Sequence, residues 1–201
     1  MNKRRYDADA SREAILDAAE RLFAEQGFGD TPTAAIARAA GVSQSQIHYH
    51  FDTKRKLWDE VLRRRFAEYY AVQSGTLDRT GMTSLDRMSE SIRAYFAFFQ
   101  EHPRFVKLLA RAQLEGGGEG IKPMSADLIA RGTEVIARGQ ASGELRSDVP
   151  AAFLLTGFLS LVVQYFQSRG SFAAGPDGDQ RRSDEAYLAF ILRVYRQGIA
   201  P

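Results

Sequence analysis

Apolar residues recur at helical spacing along almost the whole of this 201-residue chain. In the clearest stripe, the steps between apolar residues are three, four, three, one and three, which places them on one side of a helix. The members of this stripe are Leu85, Met88, Ile92, Tyr95, Phe96 and Phe99. All six prolines stand at candidate helix edges, and no stretch of four to eight residues alternates cleanly between apolar and polar, as a half-buried strand would. The sequence therefore predicts an all-α fold of about nine helices.

The composition is that of an ordinary globular protein, with 44% hydrophobic and 26% charged residues. The chain has no cysteine, which excludes disulfides, zinc ribbons and cysteine nucleophiles and fits a reducing cytoplasm. The net charge of +2 is too small to indicate a nucleic-acid partner by itself. However, the whole basic excess lies within residues 1–66, which hold 12 Lys or Arg and 10 Asp or Glu. A binding function is therefore expected first in this part of the chain.

The most apolar stretch covers residues 151–166 and is interrupted by Thr156, Ser160 and Gln164. A helix that crosses a bilayer needs nearer 20 apolar residues, and the N-terminus has no apolar run of the kind that a signal peptide needs. We therefore expect a helix that is buried on most of its faces, and no membrane partner.

Two short helices joined by a tight turn are predicted in the first third of the chain. Thr31-Pro32 fits a helix N-cap followed by proline at the first helical position, and Gly41 ends this helix. Ser43 and Gln46 fit a capping box, in which each side chain bonds the backbone N–H of the other residue. Together the two helices form a helix-turn-helix, which favours DNA binding, although any αα-corner of a helical bundle would give the same pattern.

The second of these helices, which ends near Phe51, presents a polar face without a carboxylate. At helical spacing this face carries an amide, a hydroxyl, an imidazole and a phenol, from Gln44, Ser45, His48 and Tyr49. Ile47 and Phe51 point the other way. Glutamine pairs with adenine and serine with several base edges, whereas histidine and tyrosine suit phosphate oxygens. Lys54 follows at the start of the next helix, where backbone N–H groups also attract a phosphate.

The residues around this motif resemble the TetR/AcrR family of bacterial transcriptional regulators. The resemblance is carried by the strings at residues 14–19, 22–23, 27–28, 36–43 and 47–51 and by the spacing of Lys54 and Leu57. It covers about residues 11–62, and beyond them it extends only to the layout and to the loop at residues 141–146 before Val149-Pro150. The family usually has an aliphatic residue at Thr33, Gly at Ser45 and Tyr at His48. The last two face DNA, so the operator sequence of the family does not transfer to this chain.

The resemblance implies two domains, a helix-turn-helix domain at 1–53 and an effector-binding and dimerisation domain at 54–201, connected by a helix at 54–73. It also implies a homodimer that pairs through helices near 150–169 and 183–199. Such a dimer would place two recognition helices about one DNA turn apart, roughly 34–36 Å, on a palindromic operator of double-stranded DNA. The expected function is a ligand-responsive repressor in the cytoplasm, associated with the nucleoid and released by a small apolar or aromatic effector.

Two sets of residues are expected to carry this function. The residues expected at DNA are Thr31, Thr33, Ser43, Gln44, Ser45, Gln46, His48, Tyr49, His50 and Lys54. Those expected to line an effector pocket are Tyr95, Phe99, Phe105, Leu109, Phe158, Gln164 and Tyr165. Packing at the helix base is an alternative role for His50, and a place in the core is an alternative for each aromatic residue of the second set.

Other features keep alternatives open. No Glu-x-x-His pair or Gly-x-Ser-x-Gly string occurs, so we predict no enzyme, catalytic residue, metal site or cofactor. An effector-independent DNA-binding or architectural protein is the second hypothesis. The arginine run at 63–65 is predicted to be either a solvated helix face or a DNA contact. The basic residues 3–5 are predicted to form either an arm in the minor groove or a frayed tail. Trp58 is expected to pack where the two domains meet. Glycine-rich loops are predicted at 115–120 and 171–180.

Overall fold

A computed structural model describes residues 3–172 and 179–200, with side chains described for residues 8–169 and 179–200. Within this part the fold is all-α, as predicted. Its nine α-helices are α1 (Lys3–Gln26), α2 (Thr33–Ala40), α3 (Gln44–Phe51), α4 (Lys54–Leu77), α5 (Ser84–Glu101), α6 (Pro103–Glu115), α7 (Lys122–Ala141), α8 (Ala151–Phe172) and α9 (Gln180–Ile199). The predicted basic arm at residues 3–5 falls in α1, but its side chains lie outside the described part, as do residues 173–178 of the loop predicted after α8.

Two compact units make up the chain. The first contains residues 1–67 and 104–122, and the second contains residues 68–103 and 123–201. The predicted boundary after residue 53 falls inside the first unit. Side chains on both sides of it, such as Ile47 and Leu57, belong to one buried core.

Aromatic contacts between α1 and α4 form the centre of the first unit. Trp58 is fully buried, and its ring meets that of Phe23 edge-on, with 5.0 Å between the ring centroids. Such a pair stabilises a core by about 0.5–1.5 kcal/mol beyond the area that it buries. The indole Nε1 donates to the carbonyl of Gly116, 3.3 Å away. Trp58 thus packs where residues 1–53 meet the rest of the chain, as predicted, and this junction lies inside the core of the first unit.

The arginine run at 63–65 fastens α4 to α1. Arg64 donates to Asp17 and Glu20, both at 2.8 Å, and Arg65 donates to Glu20 at 2.8 Å. The Glu20 side chain is 8% exposed, so two guanidinium groups neutralise a nearly buried carboxylate. The predicted solvated face is therefore wrong for Arg64 and Arg65, and it holds for Arg63, whose side chain is 49% exposed.

The second unit has an aromatic core between α5, α8 and α9. The ring of Phe158 lies edge-on to Tyr95 at 6.4 Å and to Tyr195 at 5.7 Å between centroids. Asp184 is 3% exposed in the same unit, and a carboxylate so buried needs hydrogen-bond donors. Its donors are Gln100, Tyr165, Arg169 and Gln180. The unit is thus held by ring packing and by a fully partnered buried carboxylate.

α8 is less buried than its apolar sequence predicts. Phe158 and Val162 are buried on its inner side, but Phe153 is 70% exposed and Leu161 is 37% exposed. By length and composition alone, the segment Ala151–Arg169 is also apolar enough to cross a membrane, a test that core helices of other proteins pass as well. The expectation of a helix buried on most of its faces is therefore wrong for a single chain.

Candidate nucleic-acid interface

The turn before α2 differs from the prediction. The N-cap of α2 is Pro32, and Thr33 is the first helical residue and half-buried. Thr31 is fully buried, and its hydroxyl donates to the carbonyl of Gly27 at 2.6 Å. The prediction that Thr31 contacts DNA is therefore corrected, because its side chain ties the α1–α2 turn back to the end of α1.

The turn between α2 and α3 is built by local signals that the sequence shows. Gly41 adopts a φ of 69°, which glycine reaches without steric cost, and it ends α2 as predicted. The Ser43 hydroxyl accepts the N–H of Gln46 at 3.3 Å, and Gln46 Oε1 accepts the N–H of Ser43 at 2.9 Å. The predicted capping box is thus confirmed. It fixes the first turn of α3 and leaves the amide nitrogen of Gln46 available to a partner.

The outer side of α3 is polar and open, as predicted. The four predicted side chains, Gln44, Ser45, His48 and Tyr49, are exposed, as is Gln46, and Tyr49 is 80% exposed. Ile47 and Phe51 are 1% and 5% exposed and anchor the opposite side in the core. α3 contains no carboxylate, so this side offers hydrogen-bond donors and acceptors without repelling phosphate.

The two histidines of α3 have different surroundings. His48 Nδ1 lies 3.0 Å from the carbonyl oxygen of Asp52. His50 is half-buried, and its ring centroid lies 5.1 Å from that of Tyr49 and 6.1 Å from that of Phe51. His50 therefore has the packing role that was one of its two predicted roles. In the described part of the chain, no group of three or more His, Cys, Asp or Glu residues is placed to hold a metal ion.

α3 and α4 are joined by a tight corner. Asp52 has φ 63° and ψ −59°, and the Thr53 N–H donates to the carbonyl of Phe51 at 2.6 Å, which forms a three-residue γ-turn of the rare, strained type. The Lys56 ammonium lies 2.7 Å from the Asp52 carboxylate, and this hydrogen bond lowers the pKa of Asp52. The corner thus begins α4 at Lys54, the predicted position.

The Lys54 side chain lies along the α1–α2 turn. Its Nζ donates to the carbonyl of Gly29 at 3.2 Å and lies 4.5 Å from the centre of the Phe28 ring. Desolvation lowers the pKa of Lys54, while the charges of Asp30 and Glu115 oppose this shift. The ammonium group therefore lies beside the helix-turn-helix, and its remaining N–H groups can donate hydrogen bonds to a phosphate.

Comparison with known proteins agrees with this geometry. Residues 15–61 match the family described as bacterial regulatory proteins, tetR family, and residues 85–193 match the tetracyclin repressor-like C-terminal domain. The chain belongs to the TetR family. It is a DNA-binding transcriptional regulator, and its relatives are named as regulators or repressors rather than enzymes.

Similarity to individual TetR-family proteins extends over most of the chain. The HTH-type transcriptional repressor NicS of Pseudomonas putida is 25% identical over 98% of this chain and 95% of its own. The HTH-type transcriptional regulator RutR of Escherichia coli K12 is 30% identical over 71% of this chain and 68% of its own. The structure of ketosteroid transcriptional regulator KstR2 of Mycobacterium tuberculosis has a TM-score of 0.73 and 22% identity, covering 100% of this chain and 97% of that one. This last match shows the shared fold.

The residues predicted for the effector pocket of this TetR-family chain fall in both compact units. Those buried in the second unit are Tyr95, Phe99, Phe158 and Tyr165. Phe105 and Leu109 belong to the first unit, where the Phe105 ring lies 6.4 Å from that of Phe66, and Gln164 is exposed. A groove of about 520 Å³ on the second unit, between α4 and α5, is lined by none of the seven. The effector pocket therefore stays a prediction.

Sequence reasoning missed the role of Glu115 in the first unit. Its carboxylate accepts backbone N–H groups of Phe28 and Gly29, at 2.7 and 3.1 Å. The sequence showed residues 115–120 only as a glycine-rich loop, because nothing local marks a partner 86 residues away. The repeated glycines at 116–118, each of which adopts a positive φ in the structure, are a signal in the sequence of an unusual backbone path there.

Proposed function

We propose that this TetR-family protein is a homodimeric repressor that binds a palindromic DNA operator and is released by a small apolar or aromatic effector. It acts in the cytoplasm, at the nucleoid. The observation that carries this proposal is the exposed, carboxylate-free side of α3, which follows a complete capping box. Gln44 and Ser45 on that side suit base edges, and His48 and Tyr49 suit phosphate oxygens.

The dimer proposal is supported by the uncovered apolar sides of α8 and α9. Phe153 and Leu161 are exposed on α8, and Phe190 and Val194 are 51% and 42% exposed on α9. Large apolar side chains grouped on neighbouring helices favour a protein interface. A second copy of the chain would bury them and, by a two-fold axis, place two α3 helices on one face of DNA. The apolar character of α8 then follows from dimerisation and needs no membrane.

The effector proposal rests on the aromatic core of the second unit. Tyr95 and Phe158 are buried there beside Tyr195, whose hydroxyl has no hydrogen-bond partner among the described residues. These rings favour a flat, apolar effector, and the hydroxyl supplies one polar contact. An effector that binds better to a dimer with another spacing of its α3 helices weakens DNA binding by linkage.

The DNA-binding proposal is tested by selecting bound fragments from the genome and then by Gln44→Ala. Loss of the Gln44 amide should relax sequence preference at one operator position and cost roughly 1–3 kcal/mol there. Gln113→Ala, at an exposed position of α6, is the matched control and should leave the preference unchanged. Selection that returns no palindrome, or a Gln44→Ala variant with the parent preference, would refute the proposal.

The dimer proposal is tested by Phe153→Arg and light scattering. An arginine at this exposed position of α8 should leave the fold of one chain intact but place an unpaired charge in the proposed interface. The parent should have twice the mass of one chain at micromolar concentration, and the variant should shift towards the mass of one chain. A parent that is monomeric, or a variant as dimeric as the parent, contradicts this interface.

A further inference from the structure

Glu115, the last residue of α6, holds the turn between α1 and α2. Its Oε2 accepts the N–H of Phe28 at 2.7 Å and that of Gly29 at 3.1 Å. Its Oε1 accepts from Arg111 Nη1 at 3.2 Å. Burial raises the pKa of Glu115, but the two backbone donors and Arg111 outweigh it, so the pKa lies below its ordinary value. An ionised carboxylate thus satisfies two backbone donors that have no helical partner.

The space for this carboxylate depends on Gly27. Its φ is 87°, and a Cβ atom there would lie 2.6 Å from Glu115 Oε1 and 2.7 Å from Arg111 Nη1. Both distances are far below contact distance. Glycine at this position therefore ends α1, and a larger residue would force the ends of the Glu115 and Arg111 side chains to shift.

The other side of the same turn carries the basic residues that begin α4. Lys54 Nζ donates to the Gly29 carbonyl at 3.2 Å. The ring of Phe28 lies under both cations, with Lys54 Nζ at 4.5 Å and Arg55 Cζ at 3.9 Å from its centre. Arg55 also donates to the carbonyl of Gly116 at 2.7 Å. The backbone at residues 28 and 29 thus connects the carboxylate on one side with two cations on the other.

We propose that Glu115 is a positioning residue for DNA binding, which fixes the turn at residues 28–29 and through it holds Lys54 and Arg55 ready for the phosphate backbone. The inference rests on the proposed DNA contact of Lys54. A lysine side chain loses rotamer freedom when it binds, and a turn that orders the chain beforehand reduces this loss. A residue of α6, outside the helix-turn-helix, thereby contributes to DNA affinity.

The experiment uses the full chain and a fluorescein-labelled duplex of arbitrary sequence, about 30 base pairs long, because non-specific binding reports phosphate contacts. Dissociation constants are measured by anisotropy over a salt series from about 50 to 200 mM. The variants are Lys54→Ala, Glu115→Ala, Glu115→Gln and the Lys54→Ala/Glu115→Ala double variant. Glu119→Ala is the matched control, because Glu119 lies four residues further along the chain, is exposed and pairs with Lys122 at 2.6 Å.

Glu115→Ala should weaken binding on the order of tenfold at about 50 mM salt and lower the salt slope by about 0.9 for each phosphate that the protein no longer neutralises. Lys54→Ala should do the same, and the double variant should add little, because both changes act on the same phosphate. Glu115→Gln should restore most of the affinity, since its amide oxygen can still accept both N–H groups. A merely destabilised protein would lose active molecules without changing the salt slope.

The inference is overturned if Glu115→Ala keeps the parent slope, if its effect adds fully to that of Lys54→Ala, or if Glu115→Gln binds as weakly as Glu115→Ala. An equal effect of Glu119→Ala would also overturn it, since loop charge alone would then explain the result. A parent chain that binds no duplex at any salt concentration would instead refute the proposed function. The two failures are therefore distinguishable.

Discussion

Gly117→Ala should destabilise the first unit by about 2–4 kcal/mol, because the new methyl group meets two separate obstacles. The first is the backbone: Gly117 has a φ of 131°, and a residue with a side chain held in such a region costs on the order of 1–3 kcal/mol. The second is Trp58: a Cβ at Gly117 would lie 2.1 Å from the indole Nε1 and 2.8 Å from Cδ1.

The indole cannot easily give way. Trp58 is fully buried, its ring is packed edge-on against Phe23, and its Nε1 donates to Gly116. Moving it breaks that hydrogen bond, whose net contribution is about 1 kcal/mol, and opens the core. If the loop moves instead, the same hydrogen bond breaks and the backbone of the loop separates from α4.

The assay is urea unfolding followed by Trp58 fluorescence and by circular dichroism. Trp58 is the only tryptophan in the chain, so its emission reports this contact alone. Gly120→Ala is the matched control in the same loop, because a Cβ at Gly120 meets nothing within 4 Å. Gly120→Ala should be neutral or stabilising by about 0.4–1 kcal/mol. Equal unfolding midpoints for the two variants, with unchanged emission, would refute the reasoning.

Two further predictions concern helix caps. Ser43→Ala removes the hydroxyl that accepts the Gln46 N–H and should lower the free energy of unfolding by about 1 kcal/mol, measured by urea titration; no change would show that water replaces this cap. Glu144 accepts the N–H groups of Ser84 and Leu85 at the start of α5, and although burial raises its pKa, these bonds hold the pKa below its ordinary value. The stability that the ionised Glu144 carboxylate contributes should be present above about pH 5 and lost as the pH falls through its lowered pKa. The difference in the free energy of unfolding between the parent and Glu144→Gln should therefore shrink in acid. A constant difference would contradict this assignment.

The helix-turn-helix was predictable because its signals are local. Gly41 ends α2 and the pair Ser43 and Gln46 starts α3, and each acts within four residues of its partner. The apolar period then decides which side of α3 faces the core, so Ile47 is buried and Tyr49 is open. The prediction for Thr31 was wrong because a threonine hydroxyl is of the right type for an N-cap. In the structure it instead donates to the carbonyl of Gly27, across a turn that the apolar pattern does not describe.

The predictions for Trp58, the arginine run and the effector pocket depended on tertiary contacts. Periodicity marks a residue as buried, but it does not identify the helix that covers it. Trp58 was expected to pack beside residues 1–53, and it does, but the pattern did not identify Phe23 as its partner; Phe105 was grouped with aromatic residues that fall in the other unit. For α8 the sequence correctly predicted an apolar helix, but it did not show that a single chain leaves apolar side chains such as Phe153 exposed.

Two carboxylates show why such contacts escape sequence reasoning and still matter for function. Glu115 accepts two backbone N–H groups of the α1–α2 turn, 86–87 residues away, and Glu144 accepts two at the start of α5, 59–60 residues away. A capping box supplies its acceptor three residues from the donor, whereas these two carboxylates supply theirs only after the chain has folded. Each therefore makes local backbone geometry depend on a residue that is distant in the sequence. At Glu115 the same turn also accepts a hydrogen bond from Lys54, so in the proposed function one contact both orders the turn and positions a cation for DNA.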